Sequence, residues 1–251
     1  LLTGGAGNDL FMATSYDDGI DEIDGGTGSD TLDYSTYGSS NNISVTLGEV
    51  DTVVTVVVSG TGANSDKVQN IENIIATAGN DVITGNTLAN LLVGMKGKDL
   101  LTGGDGDDTL HGDNVADDLA TVSDGSNDDT LIAGNGNDSL YGGKGSDTLS
   151  GGIGNDIING GADTDIVDYS DASGSVTVDL GLNGVTQAVG GGGGIDTLVN
   201  VENIVGSSHK DTFYSDHTTS NTFDGGVTDS EGGDTVSYIN LLNDKTESAY
   251  T

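Results

Sequence analysis

GNTLANLLV at 85–93, GMKGKDLLT at 94–102 and GGDGDDTLH at 103–111 follow one another in a single nine-residue frame. The frame returns as AGNGNDSLY at 133–141, GGKGSDTLS at 142–150, GGIGNDIIN at 151–159 and GGADTDIVD at 160–168. Its sixth position is Asp81, Asn90, Asp99, Asp108, Asp129, Asp138, Asp147, Asp156 and Asp165, and its eighth is Ile83, Leu92, Leu101, Leu110, Leu131, Leu140, Leu149, Ile158 and Val167. Six residues rich in Gly, Asn and Asp turn sharply because they tolerate positive φ. The last three suit a short strand with one inward side chain. Turn, strand, turn, strand closes a coil of 18 residues. Coils stacked at strand spacing, roughly 4.7–4.9 Å, bring Asp81 to Asp99, Asn90 to Asp108, Asp129 to Asp147, Asp138 to Asp156 and Asp147 to Asp165.

This array resembles the RTX (repeats-in-toxin, haemolysin-type) nonapeptide family, whose unit is G-G-x-G-x-D-x-U-x. Isolated copies stand outside it as GGAGNDLFM at 4 and GGTGSDTLD at 25, with degenerate forms GSSHKDTFY at 206 and DHTTSNTFD at 216. The resemblance implies an all-β chain folded as a right-handed parallel β-roll, a β-solenoid of such turns with β-rich inserts between repeat blocks. It also implies calcium ions in rows along both turn edges, in a C-terminal-type domain of a bacterial protein exported by type I secretion.

The chemistry of the spacing agrees with a calcium reading. Stacked carboxylates repel, whereas calcium takes about six to eight hard oxygens at about 2.3–2.6 Å from carboxylates and carbonyls. Glycines expose carbonyls and admit close backbone approach. The candidate ligands are therefore Gly4, Asp9, Gly25, Asp30, Asp81, Asn90, Gly94, Asp99, Gly103, Asp105, Asp108, Asp129, Gly134, Asp138, Gly142, Asp147, Gly151, Asp156, Gly160, Asp165, Asp211 and Asp234, holding several Ca2+ ions.

Composition narrows the partners. The chain carries 41 Asp and Glu against 6 Lys and Arg, a net charge of −35, with 43 Gly and neither Cys nor Pro. Nucleic acid and anionic membrane surfaces need clustered Lys and Arg, so cations are the partners this charge favours. Without a counter-charge, so few apolar residues are expected to leave the chain disordered. Without Cys there are no disulfides or thiolate metal sites. No stretch is apolar enough to span a membrane, and the chain reads as a monomeric segment of a longer secreted or cell-surface protein.

Between His111 and Asp124 the frame breaks, read as a degenerate turn GDNVADDLA plus Thr121, Val122 and Ser123, a loop at 112–123 that makes Asp99 with Asp117 a weaker pairing. A second, longer repeat runs from LDYS at 32 through Ile43, Val45 and Leu47 to QNIENI at 69, and from VDYS at 167 through Val176, Val178 and Leu180 to NVENI at 200. The expected division is a partial repeat block at 1–32, a β-rich insert at 33–75 and the main roll at 76–168. A second insert follows at 169–205, then a degenerate block with a truncated third insert at 206–251.

No catalytic constellation is legible. His111, His209 and His217 sit at turn or strand-end positions, and H-E-x-x-H, Gly-x-Ser-x-Gly and phosphate-loop motifs are missing. Tyr16, Tyr34, Tyr37, Tyr141, Tyr169, Tyr214, Tyr238 and Tyr250 read either as scattered structural residues or as a sugar-stacking surface. The leading expectation is a calcium-folded structural module. The alternatives are a section of a large surface adhesin contacting glycan or ice, and the noncatalytic C-terminal part of a secreted protease, lipase or polysaccharide-modifying enzyme.

Overall fold

The computed structural model describes residues 1–13, 21–60, 65–114, 127–216, 220–226 and 233–237. His217, Tyr16, Tyr238 and Tyr250, most of the proposed loop at 112–123, and the third insert beyond Ser237 lie outside the described residues. The described part is a parallel β-roll. Apart from one 3-10 turn at Leu180–Leu182 its elements are short strands.

Successive strands of the repeat array alternate between two sheets. One sheet runs through Val82–Thr84, Leu100–Asp105, Thr130–Asn135, Thr148–Ile153 and Ile166–Asp168, and the other through Leu91–Met95, Thr109–Asp113, Ser139–Lys144 and Ile157–Ala162. All neighbours in these runs are parallel. The register places Leu101 beside Ile83 and Leu131, and Leu149 beside Leu131 and Val167. Every eighth-position residue of the array, from Ile83 to Val167, has no solvent exposure, so one inward side chain per strand fills the space between the sheets. Thr148, at position seven beside Leu149, is half-buried.

The glycine pattern has a conformational cause. In GGKGSDTLS, Gly143 and Gly145 hold φ of 105° and 116°, the left-handed region that a side chain disfavours. Met95 at φ 81° and Asp163 at φ 83° adopt the same region without that freedom.

The break is accommodated differently from the sequence reading. Leu100 pairs with Thr130 and Thr109 with Ser139, an offset of 30 residues instead of 18, so residues 115–126 are all additional and Asp99 stacks on Asp129, not Asp117. Gly112 faces Asp129 Oδ2, so the two belong to one turn although 17 residues separate them. A parallel ladder tolerates such an insertion only in a turn, where no sheet hydrogen bond is lost.

The long repeat is built into the roll. After Thr31–Asp33, the strands Asn42–Thr46, Val54–Ser59 and Ser65–Gln69 form an antiparallel meander, which enters the opposite sheet between Glu22–Thr27 and Val82–Thr84. After Ile166–Asp168 a related module recurs, its antiparallel pair in the other large sheet and its first strand in a separate three-stranded sheet. Thr186–Ala188 pairs antiparallel with Ile195–Val199, while Thr177–Asp179 pairs with Thr212–Tyr214 and through it with Thr235–Ser237.

Candidate metal centre

Each sixth-position acid sits where a turn enters a strand, and the roll stacks these acids in two rows. In one row the N–H of Asp81 donates to Asp99 Oδ1 at 2.7 Å, Asp99 to Asp129 at 2.7 Å, Asp129 to Asp147 at 2.8 Å, and Asp147 to Asp165 at 2.8 Å. In the other, Asn90 donates to Asp108 at 2.8 Å, Asp108 to Asp138 at 2.7 Å and Asp138 to Asp156 at 3.0 Å. Asp9 and Asp30 repeat the contact at 2.8 Å near the start of the chain.

One carboxylate oxygen is thereby used and the other is not. Among the described residues, the Oδ2 atoms of Asp9, Asp30, Asp99, Asp108, Asp129, Asp138, Asp147, Asp156 and Asp165 are buried without a hydrogen-bond partner. A buried carboxylate oxygen left this way is costly unless something else meets it. Main-chain oxygens converge on the same places. A Cβ built on Gly142 would collide with Asp147 Oδ2 and the carbonyl oxygen of Gly160. Gly4, Gly94, Gly103 and Gly160 face the same pairing of an Asp Oδ2 with a carbonyl of the next coil, from Gly25, Gly112, Ala133 and Asn200 respectively, and Gly25 meets Asp30 Oδ2 and the Asn70 carbonyl. Gly151 faces Asp156 Oδ2. The first glycine of the repeat thus keeps open a space lined by oxygens.

That donor set fits calcium. It contains carboxylate and carbonyl oxygens and neither thiolate nor imidazole, the choice of a hard cation rather than zinc or copper. No three His, Cys, Asp or Glu side chains converge among the described residues, so each centre depends on main-chain carbonyls as well as acids. Burial is the main cause that raises the carboxyl pKa along the first row, to about 9 at Asp99 and Asp147, about 8 at Asp129 and about 7 at Asp165, with neighbouring acids adding to it. In the second row it reaches about 6 at Asp108 and about 7 at Asp156. Close carboxylates in a desolvated row cannot all ionise without a counter-charge.

Some candidates stand elsewhere. Asp105 is exposed on the outer lip, where its Oδ1 accepts from Asn135 Nδ2 at 2.7 Å. Gly134 is a second-position glycine with φ 119°, stacked over the Gly104 carbonyl instead of opening an acid's cavity. Asn90 uses its amide internally, accepting from the Asn86 N–H at 2.8 Å and donating to the Glu72 carbonyl at 2.8 Å. Asp81 Oδ2 accepts from the Thr77 N–H and hydroxyl at 3.0 and 2.9 Å, and Asp211 Oδ2 from the Ser207 N–H at 2.7 Å. Asp234 Oδ1 accepts from the Asp211 N–H at 2.9 Å, and its Oδ2 faces Gly225.

Four acids missed by the sequence reading continue the rows. Glu72 Oε2 accepts from the Asp30 N–H at 2.8 Å and Glu202 Oε2 from the Asp165 N–H at 3.0 Å. Asp196 accepts from the Asp156 N–H at 3.1 Å, and Asp66 from the Asp21 N–H at 3.1 Å. A signal existed for one of them: GGGGIDTLV at 191–199 is a repeat unit with Asp196 sixth.

Of the described tyrosines, Tyr34, Tyr37 and Tyr169 are buried, and Tyr141 stacks on His111 with ring centroids 4.9 Å apart, so these four do not form a shared exposed stacking surface. No helix is long and apolar enough to cross a membrane among the described residues. A family model described as the RTX calcium-binding nonapeptide repeat (4 copies) matches residues 15–33, 69–87, 84–119, 123–157 and 141–172. No curated protein was found to match the sequence.

Proposed function

The chain carries RTX calcium-binding nonapeptide repeats, and on that premise we propose that it is a module whose roll folds when calcium fills the two rows of turns. The observation that supports this is the set of buried Asp Oδ2 atoms without partners, all but that of Asp138, whose repeat begins with Ala133, beside a glycine whose missing side chain leaves room for an ion. Asp99, Asp129, Asp147 and Asp165 hold the ions of one row, and Asp108, Asp138 and Asp156 those of the other, with carbonyls of the turn glycines completing each shell. Bound calcium supplies the positive charge that lets neighbouring carboxylates remain ionised in a buried row.

The net charge of −35 then determines when folding happens. Where calcium is scarce, as in a cytosol, self-repulsion and the unpartnered acids keep the repeats open, in a form a narrow export channel accepts. Outside the cell, each site at a hundredfold excess of calcium over its Kd adds about 2.7 kcal/mol to the folded state. The module is accordingly the structural, noncatalytic part of a secreted bacterial protein of type I export, acting outside the cell or on its surface. Circular dichroism with small-angle scattering tests the reading: an expanded chain in excess chelator should become compact and gain β signal on adding calcium, while magnesium, which demands a small octahedral shell, should substitute poorly. A compact β-roll in chelator would refute it.

A further inference from the structure

The two inserts, and the turn that follows each, treat their buried acids unlike the inner repeats. In the first, the Tyr34 hydroxyl donates to Asp66 Oδ2 at 2.8 Å, and Thr77 caps Asp81 Oδ2 through its N–H and its hydroxyl. In the second, the Tyr169 hydroxyl donates to Asp196 Oδ2 at 2.9 Å, and the Ser207 N–H caps Asp211 Oδ2. Tyr34, Asp66, Asp81, Tyr169, Asp196 and Asp211 are all buried, so these are protein donors at the oxygen that stays unpartnered in the repeats. Burial and the adjacent acid raise both tyrosine pKa values well above their ordinary value, which keeps each phenol a donor.

The arrangement arises twice, in modules separate in sequence whose antiparallel pairs lie in different sheets, so it is a property of the module and not of one neighbourhood. It also overrides the glycine pattern, since GGGGIDTLV at 191–199 has the repeat's glycines and yet its Asp196 is satisfied by Tyr169. The inserts differ in topology as well. Their antiparallel pairings join strands close in sequence, Thr186–Ala188 with Ile195–Val199 and Asn42–Thr46 with Val54–Ser59, whereas repeat coils pair only in parallel across a whole coil. Local antiparallel contacts cost less loop-closure entropy than parallel ones.

We propose that Tyr34 and Thr77, and again Tyr169 and Ser207, take the place of calcium in the inserts and the turn that follows each, making each insert with that turn a metal-independent folding unit on which the calcium-dependent coils assemble. The proposal rests on the calcium-driven folding of the repeats argued above. Hydrogen exchange read by mass spectrometry on the full chain separates the two ideas. In excess chelator, amides of 43–47, 82–84, 176–180 and 196–199 should exchange at least about tenfold more slowly than those of 100–105, 130–135 and 148–153, and calcium should then protect the latter. If insert amides exchange in chelator as fast as repeat amides while calcium still protects the repeats, the inserts are not independent units and the calcium reading stands. If the repeats are already protected in chelator, the calcium reading itself fails. Tyr169→Phe removes one donor to a buried acid and should lower chelator-state protection of 176–180 and 196–199 by about tenfold or more, leaving 43–47 unchanged. Unchanged protection in Tyr169→Phe and in the matching Tyr34→Phe would overturn the role given to the phenols.

Discussion

Replacing Gly142 by Ala adds a single methyl group at the point where Asp147 Oδ2 and the Gly160 carbonyl converge. Gly142 does not hold a left-handed φ, so the backbone accepts alanine and the effect comes from the cavity alone. The methyl group forces either the coils apart or the Asp147 side chain away, and the second course breaks the 2.8 Å bond from the Asp129 N–H. Overpacking costs about 1–3 kcal/mol and losing a hydrogen bond to a buried charge about 1.5–3 kcal/mol. Because moving the acid relieves the collision, the two do not add, and about 2–3 kcal/mol is the expected loss. At about 1.4 kcal/mol per decade, that is a fall of roughly 30- to 150-fold in calcium affinity at this turn. Calorimetric titration should show weaker binding with one ion lost at ordinary calcium, and thermal unfolding in calcium should shift down. Gly38→Ala, where a Cβ meets nothing within 4 Å, should change neither. A Gly142→Ala protein with the wild-type ion count and unfolding midpoint would refute the cavity argument.

Three substitutions and one pH dependence give further expected outcomes. Asp147→Ala should sharply lower calcium affinity, because Asp147 is stacked between Asp129 and Asp165. Leu149→Ala should keep the ion count and lose about 2–5 kcal/mol of stability, Leu149 being fully buried between Leu131 and Val167. Met95→Gly should raise the unfolding midpoint in calcium, by about 1 kcal/mol of stability, since Met95 holds φ 81° where other coils use glycine. In chelator, β signal should grow on acidification. Carboxyl pKa values of about 7 to 9 at Asp99, Asp129, Asp147 and Asp165 lie above the unfolded value of about 3.9, so their contribution to the metal-free fold is full below that value and lost as pH rises through the folded ones. Calcium affinity should rise over the same window, because the ion displaces those protons.

The roll itself was legible because a nine-residue frame carries both turn chemistry and strand polarity, and an 18-residue coil follows from it without tertiary information. Asp81 over Asp99 and Asp129 over Asp147 are direct readings of that period. The period stops being informative where the chain leaves the frame. Across residues 115–126 the offset between stacked strands is 30 residues and not 18, so counting nines across them gave Asp117 in place of Asp129 as the partner of Asp99. Glu72 and Glu202 escaped because their turns replace glycine by Asn70 and Asn200 at φ 53° and 50°, and because a glutamate reaches the same N–H from a longer side chain. The tyrosines recur in LDYS and VDYS, but the acids they cap stand 32 residues on at Asp66 and 27 on at Asp196, separations that differ between the two copies and from the 18-residue coil. Asp81 and Asp211 were read as ligands from their place in the frame, whereas on the rule proposed above their capped Oδ2 atoms set them apart from the inner repeats.

Anomalous diffraction from crystals grown in calcium tests the central claim most directly. Calcium peaks should lie in two rows, against the Oδ2 atoms of Asp99, Asp129, Asp147 and Asp165 and of Asp108, Asp138 and Asp156, with none against Asp66, Asp81, Asp196 or Asp211. Rows without calcium, or ions bound equally at the acids capped by Tyr34, Thr77, Tyr169 and Ser207, would contradict the rule that an unpartnered buried oxygen marks the metal site.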